Sequence, residues 1–381
     1  MSALTSETPE KGKMIVTPWE VRGEIDYDRL IQEFGTEKIT DQLMARIKKH
    51  AEELHYMLRR RIFFSHRDLD WLFDEYDAGR KFYLYTGRGP SGHTHLGHLV
   101  PWIFTKWLQD KFDAKLYFQM TDDEKFVFMP ELSLEEANSF AYENALDVIA
   151  LGFDPAKTFI FSDLDYAKTL YREAVKVAKK LTFSTVKAVF GFEADNNVGE
   201  IFFTSVQSVP AFIESVKQGH NVPCLIPHAI DQDAHFRVAR DVLPRLGYYK
   251  PAAIHCRFMP GLGEGGKMSA SDPSSSIFTV DKPDTAAAKI MNAFTGGRGN
   301  VEDQRLYGGN PDVCNVFSYF YFLMEPDDKA LQQRYDDCRR GRLLCGECKA
   351  CLAERTAEFL RRHQEKREKA REELARFILK D

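Results

Sequence analysis

Two short motifs in this chain combine residue types that can bind and activate nucleotide phosphates. The first, His95-Leu96-Gly97-His98, follows a strand-like run and a Gly-rich turn, and it opens an apolar helical run. A helix N-terminus offers unpaired backbone N–H groups and partial positive charge, a glycine lets a phosphate approach the backbone, and imidazoles donate hydrogen bonds. The second, Lys267-Met268-Ser269-Ala270-Ser271, follows a glycine-rich loop, as expected of a segment that closes over a nucleotide and reopens.

Displacement at a phosphate depends on positioning and on donors aimed at developing negative charge, so it needs no nucleophilic side chain. His95, His98 and Lys267 can supply those donors, and Arg88 in the turn before the helix adds a fork-shaped one. Taken alone, the two histidines are more often surface or capping residues, and the lysine segment is as readily a solvated loop. The strand, turn and helix around the first motif favour the catalytic interpretation.

The composition is typical of a folded globular protein. The 381 residues are 44% hydrophobic and 29% charged, which is enough for two or three domains with a sizeable core. A net charge of −5 excludes a globally basic nucleic-acid binder but leaves room for local basic patches. The N-terminus is polar without an apolar signal region, and no apolar run reaches membrane-spanning length. We therefore expect a cytoplasmic protein without a membrane partner.

From residue 81 onward, strand-like and helical patterns alternate. Strands are predicted over residues 81–85, 116–120, 158–161, 224–227 and 252–256, with helices over 99–108, 133–149, 166–181 and 234–246. This alternation predicts an α/β fold with a parallel sheet covered on both faces. Ligands of such sheets bind beyond the carboxyl ends of the strands, and His95, Asp122, Asp231 and Lys267 all follow predicted strands.

The remaining segments complete the predicted organisation. We expect a disordered N-terminus over residues 1–14, an extension over 15–75 that packs on the catalytic domain, a catalytic domain over 76–281 and a helical domain over 282–381. Within the extension, residues 15–21 are predicted to be extended, 26–34 and 41–47 helical, and 63–67 a capped helix start. The charged run 365–373 alternates in sign and predicts a solvated helix face.

As a set, these motifs resemble those of eukaryotic and archaeal tryptophanyl-tRNA synthetases, which are class I aminoacyl-tRNA synthetases. The resemblance rests on residues 85–91 (Tyr-Thr-Gly-Arg-Gly-Pro-Ser), 119–125 (Gln-Met-Thr-Asp-Asp-Glu-Lys), 229–233 (Ala-Ile-Asp-Gln-Asp) and 267–271, with the upstream run 16–21. It implies a Rossmann-like catalytic domain with a parallel sheet, a C-terminal α-helical anticodon-binding domain and a short N-terminal extension.

The resemblance also implies roles for individual residues. Catalytic positions would be His95, His98, Lys267 and Arg88, and ATP-binding positions would be Thr86, Gly87, Gly97, Lys125, Asp231, Met268 and Ser269. Tryptophan-binding positions would be Tyr85, Gln119, Glu124, Gln207 and Gln232. A carboxylate and amides suit an α-ammonium group and an indole N–H, and an acceptor for that N–H would be left unpaired by phenylalanine.

The implied activity has two steps. L-Tryptophan and ATP, accompanied by Mg²⁺, would give tryptophanyl-adenylate and pyrophosphate, and the tryptophanyl group would then pass to tRNA(Trp). We expect no protein-bound metal ion in this site, and the resemblance implies a homodimer.

Three other functions remain open. A tyrosyl-tRNA synthetase shares the fold and both motifs, but we cannot place the acceptor and donor pair that a tyrosine hydroxyl needs. A small-molecule nucleotidyltransferase also uses the histidine motif, although it needs neither the lysine segment nor a helical domain after it. A non-catalytic regulatory protein would have lost a catalytic group, whereas both histidines and Lys267 are present.

Five of the seven cysteines lie in the C-terminal third. The set Cys338, Cys345, Cys348 and Cys351 has spacing that can hold zinc or an iron–sulfur cluster. Because no histidine or second close pair completes a familiar zinc pattern, we favour reduced thiols on a helix and commit to neither metal.

Overall fold

A seven-stranded sheet forms the centre of the computed structural model, which describes residues 14–17, 21–22, 25–265, 268 and 273–381. The strands are β1 (Ile15–Val16), β2 (Val21–Arg22), β3 (Glu37–Lys38), β4 (Phe63–Arg67), β5 (Tyr83–Arg88), β6 (Leu116–Met120), β7 (Thr158–Ser162), β8 (Cys224–Ala229) and β9 (Ala252–Cys256). The sheet order is β3-β4-β9-β8-β5-β6-β7, and β1 pairs with β2 separately. The five strands from β9 to β7 are parallel, as predicted, whereas β3 and β4 add an antiparallel edge.

Helices cover the sheet and form the C-terminal part. They are α1 (Tyr27–Phe34), α2 (Asp41–Ala51), α3 (Tyr56–Arg59), α4 (Leu69–Asp77), α5 (Leu96–Phe112), α6 (Asp122–Phe128), α7 (Leu134–Ala150), α8 (Ala167–Ala178), α9 (Phe183–Phe190), α10 (Val198–Val206), α11 (Ile213–Gln218), α12 (Asp233–Val242), α13 (Pro283–Met291), α14 (Val301–Tyr307), α15 (Asn315–Tyr319), α16 (Asp328–Arg339) and α17 (Cys345–Glu373). The predicted helical C-terminus is confirmed.

Alternate residues of the central strands enter two different hydrophobic clusters. Leu84, Leu116 and Phe118 pack with α5, α7 and α17 on one face of the sheet. Tyr83 and Tyr117 pack with α8, α10 and α12 on the other face. Strands buried on both sides have apolar residues at consecutive positions, which explains why these runs were recognisable in the sequence.

The helix predicted to begin at about residue 133 has a local sequence signal that is sufficient to define its start. Ser133 and Glu136 form a reciprocal capping box, with Ser133 N donating to Glu136 Oε2 at 3.0 Å and Glu136 N donating to Ser133 Oγ at 3.2 Å. Two backbone donors that the helix cannot satisfy itself are thereby paired. Helix α7 accordingly begins at Leu134, and the prediction is confirmed.

The helix start predicted over residues 63–67 is wrong, because this segment is strand β4. It pairs antiparallel with β9, and Ser65 and His66 are buried. Ser65 Oγ lies 2.9 Å from His255 Nδ1, so a polar residue that suggested a helix cap is paired across the sheet instead. The following helix, α4, begins at Leu69.

The alternating charged run near the C-terminus is only partly a solvated face. Arg367 of α17 is buried and forms ion pairs with Asp147 and Glu143 of α7. His363 Nε2 lies 2.8 Å from Asp147 Oδ1. Burial would raise the pKa of Asp147, but the hydrogen bond from His363 and the charge of Arg367 hold it below its usual value. One buried carboxylate therefore joins α17 to α7.

Among the residues that the structure describes, no helix has both the length and the apolar character needed to cross a membrane.

Replacing Asp147 by Asn should lower the free energy of unfolding by ~3 kcal/mol, because Arg367 would keep its buried charge with only the half-exposed Glu143 as its partner. Asp113→Asn is the matched control. It removes an exposed carboxylate that pairs with Lys81 and Lys157, at a left-handed position that asparagine tolerates. Denaturant unfolding of both variants measures the difference, and equal losses would contradict the role assigned to the buried pair.

Candidate active site

A cavity of about 470 Å³ opens at the carboxyl ends of the parallel strands. Its walls come from the end of β5, the start of α5, the start of α6 and the segments that follow β8 and β9. Twelve of the site residues expected from the sequence line it: Thr86, Gly87, Arg88, His95, Gly97, His98, Glu124, Lys125, Gln207, Asp231, Gln232 and Met268. The topology thus brings together residues that are up to 182 positions apart (268 − 86).

The two histidines of the first motif form a stacked pair at the start of α5. Their ring centroids lie 3.5 Å apart, and His95 is the N-cap residue of the helix. The His95 backbone N–H donates to His98 Nδ1 at 3.1 Å. Since Nδ1 of His98 is the acceptor, the proton of the neutral ring lies on Nε2. This geometry gives the helix N-terminus a side-chain donor beside its own backbone N–H groups.

Glycine is required where the backbone meets this pair. A Cβ at Gly97 would lie 3.1 Å from two atoms of the His95 ring, so a side chain there would shift that imidazole by a few tenths of an ångström. A Cβ at Gly87 would lie 2.7 Å from the carbonyl oxygen of Gln119, on the neighbouring strand. Both glycines therefore permit close packing at the cavity wall.

Arg88 is a half-buried cationic residue at this site, with one nitrogen of its guanidinium fully buried. Burial lowers its pKa to about 10, with the charges of Asp147 and Glu124 acting in the opposite direction. Its Nε donates to Asn144 Oδ1 at 3.0 Å, which fixes the plane of the guanidinium. Within the described part of the chain, its buried Nη2 has no hydrogen-bond partner. An anionic group in the cavity would complete this donor set.

Glu124 and Lys125 form an ion pair beside the turn that follows Arg88, with Lys125 Nζ 2.9 Å from Glu124 Oε1 and a Cβ at Gly89 only 3.0 Å from Glu124 Oε2. Thr121 Oγ1 donates to Glu124 Oε2 at 2.5 Å. Burial alone would raise the pKa of Glu124, but the charge of Lys125, together with the Thr121 hydrogen bond, keeps it below its usual value. Glu124 is therefore a carboxylate, the form that binds a substrate ammonium group.

Tyr85 and Gln119 lie beneath the cavity rather than on its surface, since both are fully buried. Gln207 Nε2 donates to Tyr85 Oη at 2.6 Å, and Tyr85 Oη donates to Gln119 Oε1. Gln119 Nε2 in turn donates to both carboxylate oxygens of Asp163, at 2.9 and 2.8 Å. This hydrogen-bonded chain fixes the orientation of Gln207, which is the member that reaches the cavity.

The hydrogen-bonded chain ends in two carboxyl groups, the buried Asp163 and the half-buried Asp123. Burial raises the pKa of Asp123 to about 7, and burial together with the charge of Asp123 raises that of Asp163 well above its usual value. Two carboxyls in contact cannot both ionise at low cost, so the pair retains a proton near neutral pH.

Asp231 and Gln232 lie in the turn Ile230–Gln232 that ends β8, with Asp231 buried at the cavity. The next residue, Asp233, accepts from Arg67 Nε at 2.7 Å and lies 3.3 Å from His255 Nε2. Burial opposes ionisation of Asp233, but these two partners lower its pKa strongly. A buried ion pair with strand β4 thus holds the turn that carries Asp231.

Asp122 follows β6 but does not face the cavity, contrary to what its position after a strand suggests. It accepts from Ser162 Oγ at 2.5 Å and from Asn138 Nδ2 at 2.9 Å, so it ties β7 and α7 to the end of β6.

The second motif is only partly visible. Lys267 and Ser269 lie outside the described residues. Met268 is buried, its backbone N–H donates to the Met259 carbonyl at 3.1 Å, and its Cβ lies 3.6 Å from the Cβ position of Gly97. Met268 therefore packs directly against the first motif.

The other residues that line the cavity include Thr121, His235 and Arg257, to which the sequence analysis assigned no role. Burial lowers the pKa of His235 to about 4, so this imidazole is neutral. Arg257 lies 4.8 Å from the ring centroid of Tyr27 in α1. It follows the predicted strand 252–256 directly, so the rule that pointed to Asp231 could also have found Arg257.

Stability of the folded state should reflect the Asp123–Asp163 pair. Because the folded pKa of Asp123 is raised to about 7 from 3.8, the folded state binds more protons than the unfolded state in this range. The free energy of unfolding of the unmodified protein should therefore fall, relative to Asp123→Asn, as pH rises from about 4 to about 7. Denaturant midpoints at several pH values measure this trend. Glu135→Gln, at an exposed position, is the control, and parallel curves for wild type and Asp123→Asn would refute the assignment.

Comparison with known proteins adds independent information. The family model described as tRNA synthetases class I (W and Y) matches residues 77–361. The tryptophan–tRNA ligase of Pyrobaculum calidifontis is 51% identical over 96% of this chain and 98% of its own length. That of Pyrococcus furiosus is 51% identical over 95% and 93%, respectively.

Solved structures agree with the sequence relatives. The tryptophanyl-tRNA synthetase of Plasmodium falciparum has a TM-score of 0.87 and 40% identity, covering 93% of this chain and 97% of its own. The enzyme of Encephalitozoon cuniculi, bound to tryptophan, has a TM-score of 0.85 and 38% identity, covering 93% and 98%. The resemblance inferred from the motifs and the expected fold are confirmed, and this chain belongs to the tryptophanyl-tRNA synthetase family of class I tRNA synthetases.

Proposed function

We propose that this protein is a tryptophan–tRNA ligase that activates L-tryptophan with ATP and transfers it to tRNA(Trp). The observation that carries the proposal is a single cavity with two chemically different ends. One end has the α5 N-terminus with His95, His98 and Arg88, which suits phosphates. The other has Glu124 and Gln207 beside the apolar side chain of Phe236, which suits an amino acid with a large ring.

In the first step, a carboxylate oxygen of tryptophan attacks the α-phosphorus of ATP in line, and the bond to the departing pyrophosphate breaks. Negative charge then grows on the leaving phosphates, where the imidazole N–H groups and the guanidinium would lie. Lys267, proposed from the sequence, would add a flexible ammonium donor. Asp231, at the end of β8, would accept from a ribose hydroxyl of the nucleotide.

On the amino-acid side, Glu124 would bind the α-ammonium group. Gln207, held by Tyr85, would present an amide to the substrate, and Gln232, which also lines the cavity, would present a second one. Gln119 would act through Tyr85, because both of its amide atoms are already engaged below the cavity.

Mg²⁺ would enter with ATP. Among the described residues, the groups of three ligand atoms close enough to hold a metal ion are His228 with Asp233 and His255, and Glu37 with His66 and Asp70. The first contains two imidazoles and the ion pair to Arg67, which does not suit a hard cation, and the second lies at the β3–β4 edge. When bound to the phosphates, the cation would neutralise part of their charge.

In the second step, the terminal ribose hydroxyl of tRNA attacks the tryptophanyl carbonyl and AMP leaves. We propose that the helical residues 282–381 bind the anticodon, that the extension 15–75 and residues 76–281 form the catalytic part, and that the enzyme is a cytoplasmic homodimer. These assignments are supported by membership of the family, because the tryptophan–tRNA ligase of Pyrobaculum calidifontis and the Plasmodium falciparum structure match this chain over nearly its full length.

Amino-acid-dependent exchange of pyrophosphate into ATP tests the activity directly. Purified protein should catalyse exchange with tryptophan and not with tyrosine, run side by side. Exchange with tyrosine would retain adenylate formation but overturn the assigned specificity. Absence of exchange with both amino acids would favour a non-catalytic member of the family.

Arg88→Lys tests the phosphate end of the cavity. The variant keeps a positive charge but loses the planar N–H donors of the guanidinium. The rate of pyrophosphate exchange should therefore fall by ~10²-fold while the affinity for tryptophan changes little. Arg362→Lys, at a side chain that is 74% exposed, is the matched control. A proportional loss of tryptophan affinity would show that Arg88 serves amino-acid binding instead.

A further inference from the structure

Three neighbouring parallel strands place a row of polar side chains on a face of the sheet that is otherwise apolar. Tyr85 belongs to β5, Gln119 belongs to β6, and Asp163 directly follows β7. The hydrophobic cluster on this face contains Tyr83, Tyr117 and Tyr85 itself. A buried polar group costs free energy unless it is hydrogen-bonded, so a polar row in this position needs a complete set of partners.

Asp163 determines which way the amide of Gln119 points. Gln119 Nε2 donates to Asp163 Oδ1 at 2.9 Å and to Asp163 Oδ2 at 2.8 Å. The reversed amide would place the carbonyl oxygen of Gln119 against two carboxyl oxygens, and neither contact would contain a proton. The carbonyl oxygen of Gln119 therefore points away from Asp163, toward β5.

The neighbouring carboxyl group keeps Asp163 an acceptor. Asp123 is hydrogen-bonded to Asp163, and its Oδ1 also accepts from the backbone N–H of Glu124 at 2.7 Å. The proton that the two carboxyl groups share lies between them, so it is not available to Gln119. Both oxygens of Asp163 that face Gln119 consequently act as acceptors.

Tyr85 passes this polarity on to Gln207. The hydroxyl of Tyr85 has one proton and donates it to Gln119 Oε1, while the backbone carbonyl of Gln207 is a more distant acceptor at 3.2 Å. With its proton engaged, the hydroxyl can only accept from the side chain of Gln207, whose Nε2 donates to it at 2.6 Å. The reversed amide of Gln207 would bring two oxygens together without a proton between them.

Gln207 is therefore left with its carbonyl oxygen for the cavity. Its Nε2 is engaged by Tyr85, and none of the residues that the structure describes donates to its Oε1. Gln207 lines the cavity, whereas Tyr85, Gln119 and Asp163 are buried beneath it. A substrate group that meets this oxygen must be a hydrogen-bond donor. Tryptophan has two such groups, the α-ammonium and the indole N–H.

We propose that Asp163 is a positioning residue for the amino-acid substrate, because through Gln119 and Tyr85 it makes Gln207 present an acceptor to a donor group of tryptophan. This inference rests on the proposed ligase function. Asp163 does not line the cavity, and the sequence analysis assigned it no role. Its effect on the substrate is carried entirely by the polarity of the hydrogen bonds between them.

Calorimetric titration of tryptophan into the full chain tests this role with two variants of one residue. Asp163→Leu removes the acceptors, so nothing holds the carbonyl of Gln119 toward Tyr85, and the Kd for tryptophan should rise by ~10-fold or more. Asp163→Asn keeps an acceptor for Gln119 and can donate to Asp123, so its Kd should stay within about threefold of that of the unmodified protein. Equal losses in the two variants would overturn the proposal.

ATP binding separates a positioning role from a general loss of structure. The Kd for ATP should change little in Asp163→Leu, and a loss parallel to that for tryptophan would overturn the proposal in favour of a structural role. Glu173→Leu is the matched control, because it removes another buried carboxylate, paired with Lys176 on α8, and should alter neither Kd. Tyr85→Phe interrupts the same row of hydrogen bonds with Asp163 in place. It should weaken tryptophan binding in the same way, and it decides the question if Asp163→Leu does not fold.

An analogue in which sulfur replaces the indole N–H, β-(3-benzothienyl)alanine, distinguishes the two donor groups. If Gln207 binds the indole N–H, the unmodified protein should prefer tryptophan to the analogue, and Asp163→Leu should lose most of that preference. If Gln207 binds the α-ammonium, Asp163→Leu should weaken both ligands by the same factor, and either result supports the proposal. These titrations need no turnover, so absence of pyrophosphate exchange would overturn the ligase function alone. An unchanged Kd for tryptophan in Asp163→Leu and Tyr85→Phe would overturn the role of Asp163.

Discussion

The parallel pairing of β5 with both β6 and β8 determines where Arg88, Glu124 and Asp231 lie relative to one another. Because these strands run in the same direction, their carboxyl ends meet at one edge of the sheet. Arg88 at the end of β5, Glu124 after β6 and Asp231 after β8 therefore line the same cavity. The pairing is close: a side chain at Gly87 would collide with the carbonyl of Gln119. A change in this register would therefore move the phosphate end relative to the amino-acid end.

Buried charges then hold the elements that the sheet brings together. Asp147 lies between His363 and Arg367 of α17, while Asn144, one turn earlier on α7, orients Arg88. The C-terminal helix and the phosphate end of the cavity are thus connected through a single helix. Ion pairs of this kind add little net stability compared with an apolar packing, but breaking one is costly, so they select one arrangement of α7 and α17.

Much of the fold was predictable from the sequence, because the central strands are buried on both faces and several helices carry their own caps. The run Leu116–Met120 and the capping box at Ser133 are local signals, and the structure agrees with both. The prediction for residues 63–67 was wrong because their conformation depends on distant contacts and not on local signals. They form a strand by pairing with β9, about 190 positions away, and through the buried contact between Ser65 and His255. Twelve of the expected site residues line the cavity, because a motif predicts which backbone positions lie near the ligand. A motif does not predict the direction of each side chain, and the side chains of Tyr85 and Gln119 lie below the cavity.

The N-terminal segment contributes to the site through contacts that no motif encodes. The ring of the uncharged Tyr27 of α1 packs beside the guanidinium of Arg257, and its hydroxyl accepts a hydrogen bond from the Phe258 N–H at 3.0 Å. Phe64 of β4 packs edge-on against the same tyrosine, with ring centroids 4.9 Å apart. Arg257 therefore reaches the cavity along an aromatic wall supplied by residues before the first parallel strand. Since an arginine held against aromatic rings is partly shielded from water, its charge acts more strongly on an anion in the cavity than that of an exposed side chain would. The segment before β5 is in this sense part of the anion-binding surface.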